Sequence, residues 1–222
     1  MTTENPYVKQ FPDLMAGKTV LYCHGFGSSG QSGTVTRLRT VMPQAKVIAP
    51  DLPVDPHEAI ALLHQICDEE KPDLIIGTSM GGMYAEQLRG FDRICVNPAL
   101  EIAETMKAHG MTGTQQFQNP RQDGATHFKV DKEMIAQFKE LETAPKGNKA
   151  DGAPHVLYGI TPEEKKLVWG LFGDKDRLVN FQKEFQKCYG KEHFKVIDAE
   201  HRLNSNVLKK EIIPLIHQIL GV

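Results

Sequence analysis

The chain has 222 residues, of which 40% are hydrophobic and 24% charged, with a formal net charge of −2 at pH 7. That length can bury a substantial single core, and the composition is that of an ordinary globular protein. A near-neutral charge without any basic run leaves no source for binding nucleic acid or an anionic membrane surface.

A short apolar run at 19–23 reads as the first strand, and 31–41 has helical spacing at Val35, Leu38 and Val41. A second short strand is expected at 46–49. Residues 57–70 carry Ile60, Leu63, Ile66 and Cys67 on one face of an amphipathic helix. Strands follow at 74–77 and 93–96, separated by a helix at 80–89. Further strands are expected at 167–172 and 194–197, and a closing helix at 206–220 places Val207, Ile212, Leu215, Ile216 and Ile219 largely on one side. Strands alternating with helices predict an α/β fold with a mostly parallel sheet and helices on both faces.

Residues 101–165 break this rhythm and are too long for a simple crossover. Helices are expected at 99–108 and 132–141, a polar loop at 110–124, and an exposed loop at 143–154. The segment reads as a small lid inserted over the C-terminal edge of the sheet, within a single domain spanning 1–222.

The chemistry concentrates at Gly77-Thr78-Ser79-Met80-Gly81, a G-x-S-x-G between a strand and a helix. This is the nucleophile-elbow pattern. Shuffling the composition would produce about 0.04 such matches. Gly77 and Gly81 are required because a Cβ would collide across the tight turn. A serine hydroxyl needs a base, and the base needs an orienting acid. Gly173-Asp174-Lys175-Asp176-Arg177-Leu178-Val179 follows the strand after the insertion. Asp174 and Asp176 both stand at the end of that strand; the Gly-x-x-Asp-x-x-Val pattern resembles the acid turn of α/β-hydrolases, which favours Asp176, with Asp174 as the alternative. His201 stands just past the last strand, while His193 precedes it and His217 lies on the closing helix. Oxyanion donors are expected from the N–H groups of Met80 and Phe26. In the glycine-rich loop after the first strand, His24 is expected to orient the backbone beside Gly25. That loop lacks the Gly-Lys-Ser/Thr ending of a phosphate-binding loop.

Cys23, Cys67, Cys95 and Cys188 lie far apart without a C-x-x-C pair, so free thiols are expected rather than a disulfide framework or a metal site. A Cys23–His24 nucleophile pair is disfavoured because neighbours in a strand face opposite ways. The polar first ten residues lack an apolar signal region, and no stretch reaches membrane-spanning length; a cytoplasmic location is expected.

With these motifs in place, the chain resembles α/β-hydrolases, and more closely the small bacterial esterases of the YqiA/YcfP-like group. The resemblance rests on His24-Gly25-Phe26, on the run from Ile76 to Ala85, on Val96-Asn97-Pro98-Ala99-Leu100, and on the acid followed by His201-Arg202. It implies a Ser79–Asp176–His201 triad acting on a small-molecule carboxylic ester or acyl thioester, with no metal or organic cofactor. A peptidase or C–C bond hydrolase on the same triad stays open, as does a non-catalytic binding module on the same fold. Met83, Met106, Met111, Phe117, Phe128 and Phe138 are candidates either for an acyl pocket or for simple packing.

Overall fold

The computed structural model describes residues 10–142, 157 and 159–221; the loop expected at 143–154 lies outside the described residues. Six strands form one sheet: β1 (Thr19–Cys23), β2 (Lys46–Ile48), β3 (Leu74–Thr78), β4 (Arg93–Val96), β7 (Val168–Gly173) and β8 (Phe194–Ile197). Their order is β2-β1-β3-β4-β7-β8, and every pairing is parallel. β5 (Gly113–Gln116) and β6 (His127–Val130) form a separate antiparallel pair.

Strand alternation splits the core in two. Leu21, Cys23, Ile75, Cys95 and Phe172 point to one face. Val20, Tyr22, Leu74, Ile76, Ile94, Val96 and Leu171 point to the other. The first face is covered by α2 (Pro56–Glu70), α3 (Met80–Gln87), α4 (Ile102–Ala108), α5 (Lys132–Glu142) and α7 (Gln182–Tyr189). α1 (Gly33–Val41) and the C-terminal helical segment cover the second. A short turn of helix, α6 (Pro162–Lys165), leads into β7. The sheet and its two helical layers thus match the fold class expected from the sequence.

One expectation needs correction. The stretch 110–124 is not simply a loop, because Gly113–Gln116 pairs with His127–Val130. Its Thr-Gln-Gln sequence is largely exposed and lacks the apolar alternation that marks a half-buried strand. The closing helix is present as expected, helical from Ser205 to Leu220, and it carries one refinement: it runs as α8 (Ser205–Val207), a π-type turn over Leu208–Ile212, and α9 (Ile213–Leu220). Pro214 accounts for the widened turn: it has no N–H to donate, and its ring crowds the carbonyl four residues earlier.

Away from the C-terminal edge, a polar cluster is sealed beneath α3. Arg93, fully buried, donates through Nη1 to the Leu88 carbonyl at 2.6 Å and pairs with the Glu164 carboxylate. Tyr189 donates its hydroxyl to Glu86 Oε1, while Glu86 Oε2 has no hydrogen-bond partner among the described residues. Burial raises the Glu86 carboxyl from 4.5 to about 7, against the opposing pull of Tyr189, Arg93 and Arg89. The folded protein therefore holds this proton more tightly than the unfolded chain. The group costs nothing below its unfolded pKa, and stability falls as pH rises from about 4.5 to about 7. Glu86→Gln is expected to be more stable than the wild type above pH 7, on the order of 2 kcal/mol. That advantage should vanish below about pH 4.5. Urea unfolding of both proteins from pH 4 to 8 checks this; parallel pH profiles would contradict it.

Candidate active site

The β3–α3 turn is the sharpest feature of the backbone. Ser79 sits at φ 56°, ψ −122°, left-handed for a residue with a Cβ. Its N–H donates to Val96 at 3.0 Å, and its carbonyl accepts from Gly82, Met83 and Ala99 at 2.9–3.1 Å. These bonds hold the conformation at both ends. The turn also demands its two glycines. A Cβ on Gly77 would come 2.2 Å from the Gly81 carbonyl oxygen, and one on Gly81 would come 2.0 Å from that of Cys23. No side chain fits at those separations.

Three side chains from three strand ends meet at this turn. His201 Nε2 lies 2.9 Å from Ser79 Oγ, and His201 Nδ1 lies 2.7 Å from Asp176 Oδ2. Asp176 is reached through the turn after β7, and His201 through the turn after β8. The Asp176 side chain is 1% exposed, yet it is satisfied at both oxygens. Oδ1 accepts the N–H groups of Leu178 and Val179 at 2.7 and 3.2 Å. Burial works to raise its carboxyl, but the hydrogen bond from His201 and the two backbone donors outweigh it, and the group is held below the ordinary carboxylate range. Asp174, the other candidate, is exposed and instead accepts the Ala199 N–H at 3.2 Å.

The loop after β1 passes directly over Ser79. A Cβ on Gly25 would lie 3.3 Å from Ser79 Cβ. His24, 3% exposed, braces this loop. Its Nε2 accepts the Leu52 N–H at 3.0 Å and its Nδ1 donates to the Gly25 carbonyl at 2.9 Å. Burial lowers its pKa to about 4, with smaller opposing effects from Gly25 and Asp51. The ring is thus neutral, with its proton on Nδ1. Met80 is the first residue of α3, where a backbone N–H has no partner within its own helix.

Asn97 is a site residue that the sequence reading used only as part of a motif. It too has a positive φ, of 44°. Its Nδ2 donates to the carbonyls of Glu200 and His201 at 3.1 and 2.9 Å, and its Oδ1 accepts the Gly173 N–H at 2.7 Å. One amide therefore joins the ends of β4 and β7 to the loop carrying His201. Asparagine tolerates this backbone region better than most residues, the one sequence signal that could have marked it.

Ser79 and His201 open onto a cleft of about 520 Å³, bordered also by Phe26, Met111, Leu178 and Arg202. A small apolar pocket beside Met80 is lined by Phe117, Phe128 and Phe138. Met83 and Met106 are fully buried in the core and line neither. The four cysteines are free thiols, Cys23, Cys67 and Cys95 buried and Cys188 half-buried. Burial pushes the Cys23 thiol well above its ordinary range, and a protonated buried thiol is inert. Among the described residues, no cluster of His, Cys, Asp or Glu could hold a metal ion, and no helix is long and apolar enough to cross a membrane.

Solved structures share this architecture at low sequence identity. An esterase from Pyrococcus furiosus is 19% identical, with 93% of this chain and 83% of that one covered at a TM-score of 0.52. A putative hydrolase of the alpha/beta superfamily from Xanthomonas campestris pv. campestris is 14% identical, with 94% and 100% covered at 0.54. The thioesterase domain from the curacin biosynthetic pathway is 17% identical, with 92% and 91% covered at 0.50. These likenesses show the α/β-hydrolase fold. A family model, described as Uncharacterised protein family (UPF0227), matches residues 19–216, so the chain belongs to UPF0227, the YqiA/YcfP-like family.

Proposed function

We propose that this protein is a serine hydrolase that cleaves carboxylic esters or acyl thioesters through Ser79, His201 and Asp176. The observation that carries this reading is the unbroken line of hydrogen-bond contacts from Ser79 Oγ through the His201 ring to Asp176. The line lies at the mouth of a cleft large enough for a small substrate. An esterase and a thioesterase domain among the structural neighbours support the reaction class.

His201 Nε2 takes the Ser79 proton as Oγ attacks the acyl carbon. The carbonyl electron pair moves onto oxygen, facing the N–H groups of Met80 and Phe26. Collapse expels the alcohol or thiol, which takes the proton back from His201. Water then attacks the acyl-enzyme, again losing a proton to His201, and Ser79 leaves with that proton as the free acid is released. Asp176 keeps the Nδ1–H tautomer of His201 and balances the imidazolium formed in each step. His24 and Asn97 position the two loops, and Ile102, Thr105, Met111, Gln118 and Asn119 bring the described part of the insertion to the cleft, as a small lid would. Each step uses side chains, backbone N–H groups and water, so no metal or organic cofactor is needed.

A 4-nitrophenyl ester series from acetate to palmitate tests the proposal. The wild type should turn over and Ser79→Ala should not, and a serine-directed phosphonate should label Ser79 in the wild type. Neither turnover nor a phosphonate adduct in the wild type would sink the proposal. Asp176→Asn is expected to lower kcat by about 10⁴-fold, the scale seen when a triad loses its tautomer control. Asp174→Asn should stay within a few-fold of the wild type, because that carboxylate faces a backbone N–H rather than His201. Equal losses in the two variants would reassign the acid.

A further inference from the structure

We propose that the cleft selects substrates carrying an anionic group, a carboxylate or a phosphate, which Arg37 and Arg202 recognise. The inference rests on the hydrolase reading above and names the substrate class of that same cleft.

The electrostatic make-up of the lining points this way. Among the described residues, twenty line the cleft and none is Asp or Glu. The chain carries 28 acidic residues in 222 positions, so an even spread would put two or three of them there. Two arginines stand in the lining instead. Arg37, exposed on α1, makes no hydrogen bond or ion pair among the described residues. Arg202, also exposed, donates through Nη2 to Gln118 Oε1 at 3.0 Å. That partner is uncharged, so it places the guanidinium without neutralising it. Gln118 is itself anchored, its N–H donating to the Gly27 carbonyl at 2.7 Å.

The surroundings reinforce the same sign. Ser32, Gly33 and Thr34 bring the start of α1 to the cleft. The first turn of that helix contains no acid, and the partial positive charge at its N-terminus stays uncompensated there. The floor is polar, with Tyr22 and Thr78 sharing a hydroxyl hydrogen bond at 2.8 Å. The lining of this cleft thus carries positive charge in a protein whose net charge is −2. Guanidinium groups suit planar carboxylates and phosphates, which they can bind through two parallel N–H donors. An anionic substituent would be drawn in and held there, while its ester group reaches Ser79.

The test compares 4-acetoxybenzoate, its neutral methyl ester, and 4-acetoxyphenyl phosphate. kcat/KM is measured for each with the wild type, Arg37→Gln, Arg202→Gln and the double variant. The anionic-to-neutral ratio is expected to fall about fivefold for each arginine removed, the scale of a solvent-exposed ion pair. In the wild type, it should also fall as salt is raised. Whichever anion shows the larger drop identifies the head group the arginines prefer. The same three compounds are titrated calorimetrically into Ser79→Ala with and without both arginine substitutions, where anion binding should depend on the arginines. If the wild type hydrolyses the neutral ester but the ratio is the same in all four proteins, anion selection is overturned and the hydrolase reading stands. If no ester is hydrolysed, the hydrolase reading fails and calorimetry decides the matter. Binding that prefers the anions and is lost with the arginines then upholds the cleft's selectivity, and binding indifferent to them overturns it.

Discussion

The backbone of Ser79 is the constraint on which the site depends. A non-glycine residue in that region costs on the order of 1–3 kcal/mol, and the surrounding structure must over-determine it. Here the surroundings do. The Val96 carbonyl at the end of β4 fixes the Ser79 N–H, and Gly82, Met83 and Ala99 fix its carbonyl. Gly77 and Gly81 let the turn close to distances that exclude any Cβ. Once the turn is set, α3 must run back beneath β1, β3 and β4, its residues from Met80 to Glu86 all buried. The hydroxyl projects from the C-terminal edge of the sheet, where the loops after β1, β4, β7 and β8 converge. Its position is thus a property of the sheet rather than of any one loop.

The remaining groups are positioned by the same economy. Asp176 spends one carboxylate oxygen on two backbone donors and the other on His201. Its charge is held by the turn that presents it, and the ring orientation follows. Asn97 closes the circuit by binding the loop of His201 to β4 and β7 with one side chain. Few soft torsions remain between Ser79 Oγ and the sheet, which is what pre-organisation requires.

Much of this was legible in the sequence, for particular reasons. Leu74, Ile75 and Ile76 run straight into Gly77, so the elbow is announced by an apolar strand and a turn at once. Asp176 follows the buried strand β7 and His201 the edge strand β8, each by a few residues, so chain order brings them to the same edge as Ser79. Other features had no local signature. Gly113–Gln116 is polar on both faces, and its strand character comes from pairing with His127–Val130. Ile212 and Ile213 keep a helical apolar pattern through the π-type turn, so periodicity alone hides what Pro214 does to the backbone. The bonds made by Asn97 span more than 70 positions in the chain. Such contacts are set by topology and cannot be read from spacing.

The β5–β6 hairpin bears on how the insertion relates to the site. Gln118 donates to the Gly27 carbonyl, Ser29 donates to that of Pro120 at 2.6 Å, and Asn119 donates to Ser28 Oγ at 3.1 Å. Phe26 packs edge-on against Phe128, their centroids 5.1 Å apart. The loop over Ser79 is thus gripped from one side by the hairpin and from the other by His24 and Leu52. Its register is tied to the insertion by several polar bonds that must be satisfied or broken together. The hairpin bonded in this way shapes the cleft through Gln118 and the guanidinium it holds. The same few hydrogen bonds therefore place both the loop over Ser79 and the Arg202 guanidinium at the cleft. Changes in the hairpin should act on both at once, whereas changes confined to α9, on the far face of the sheet, should leave both alone.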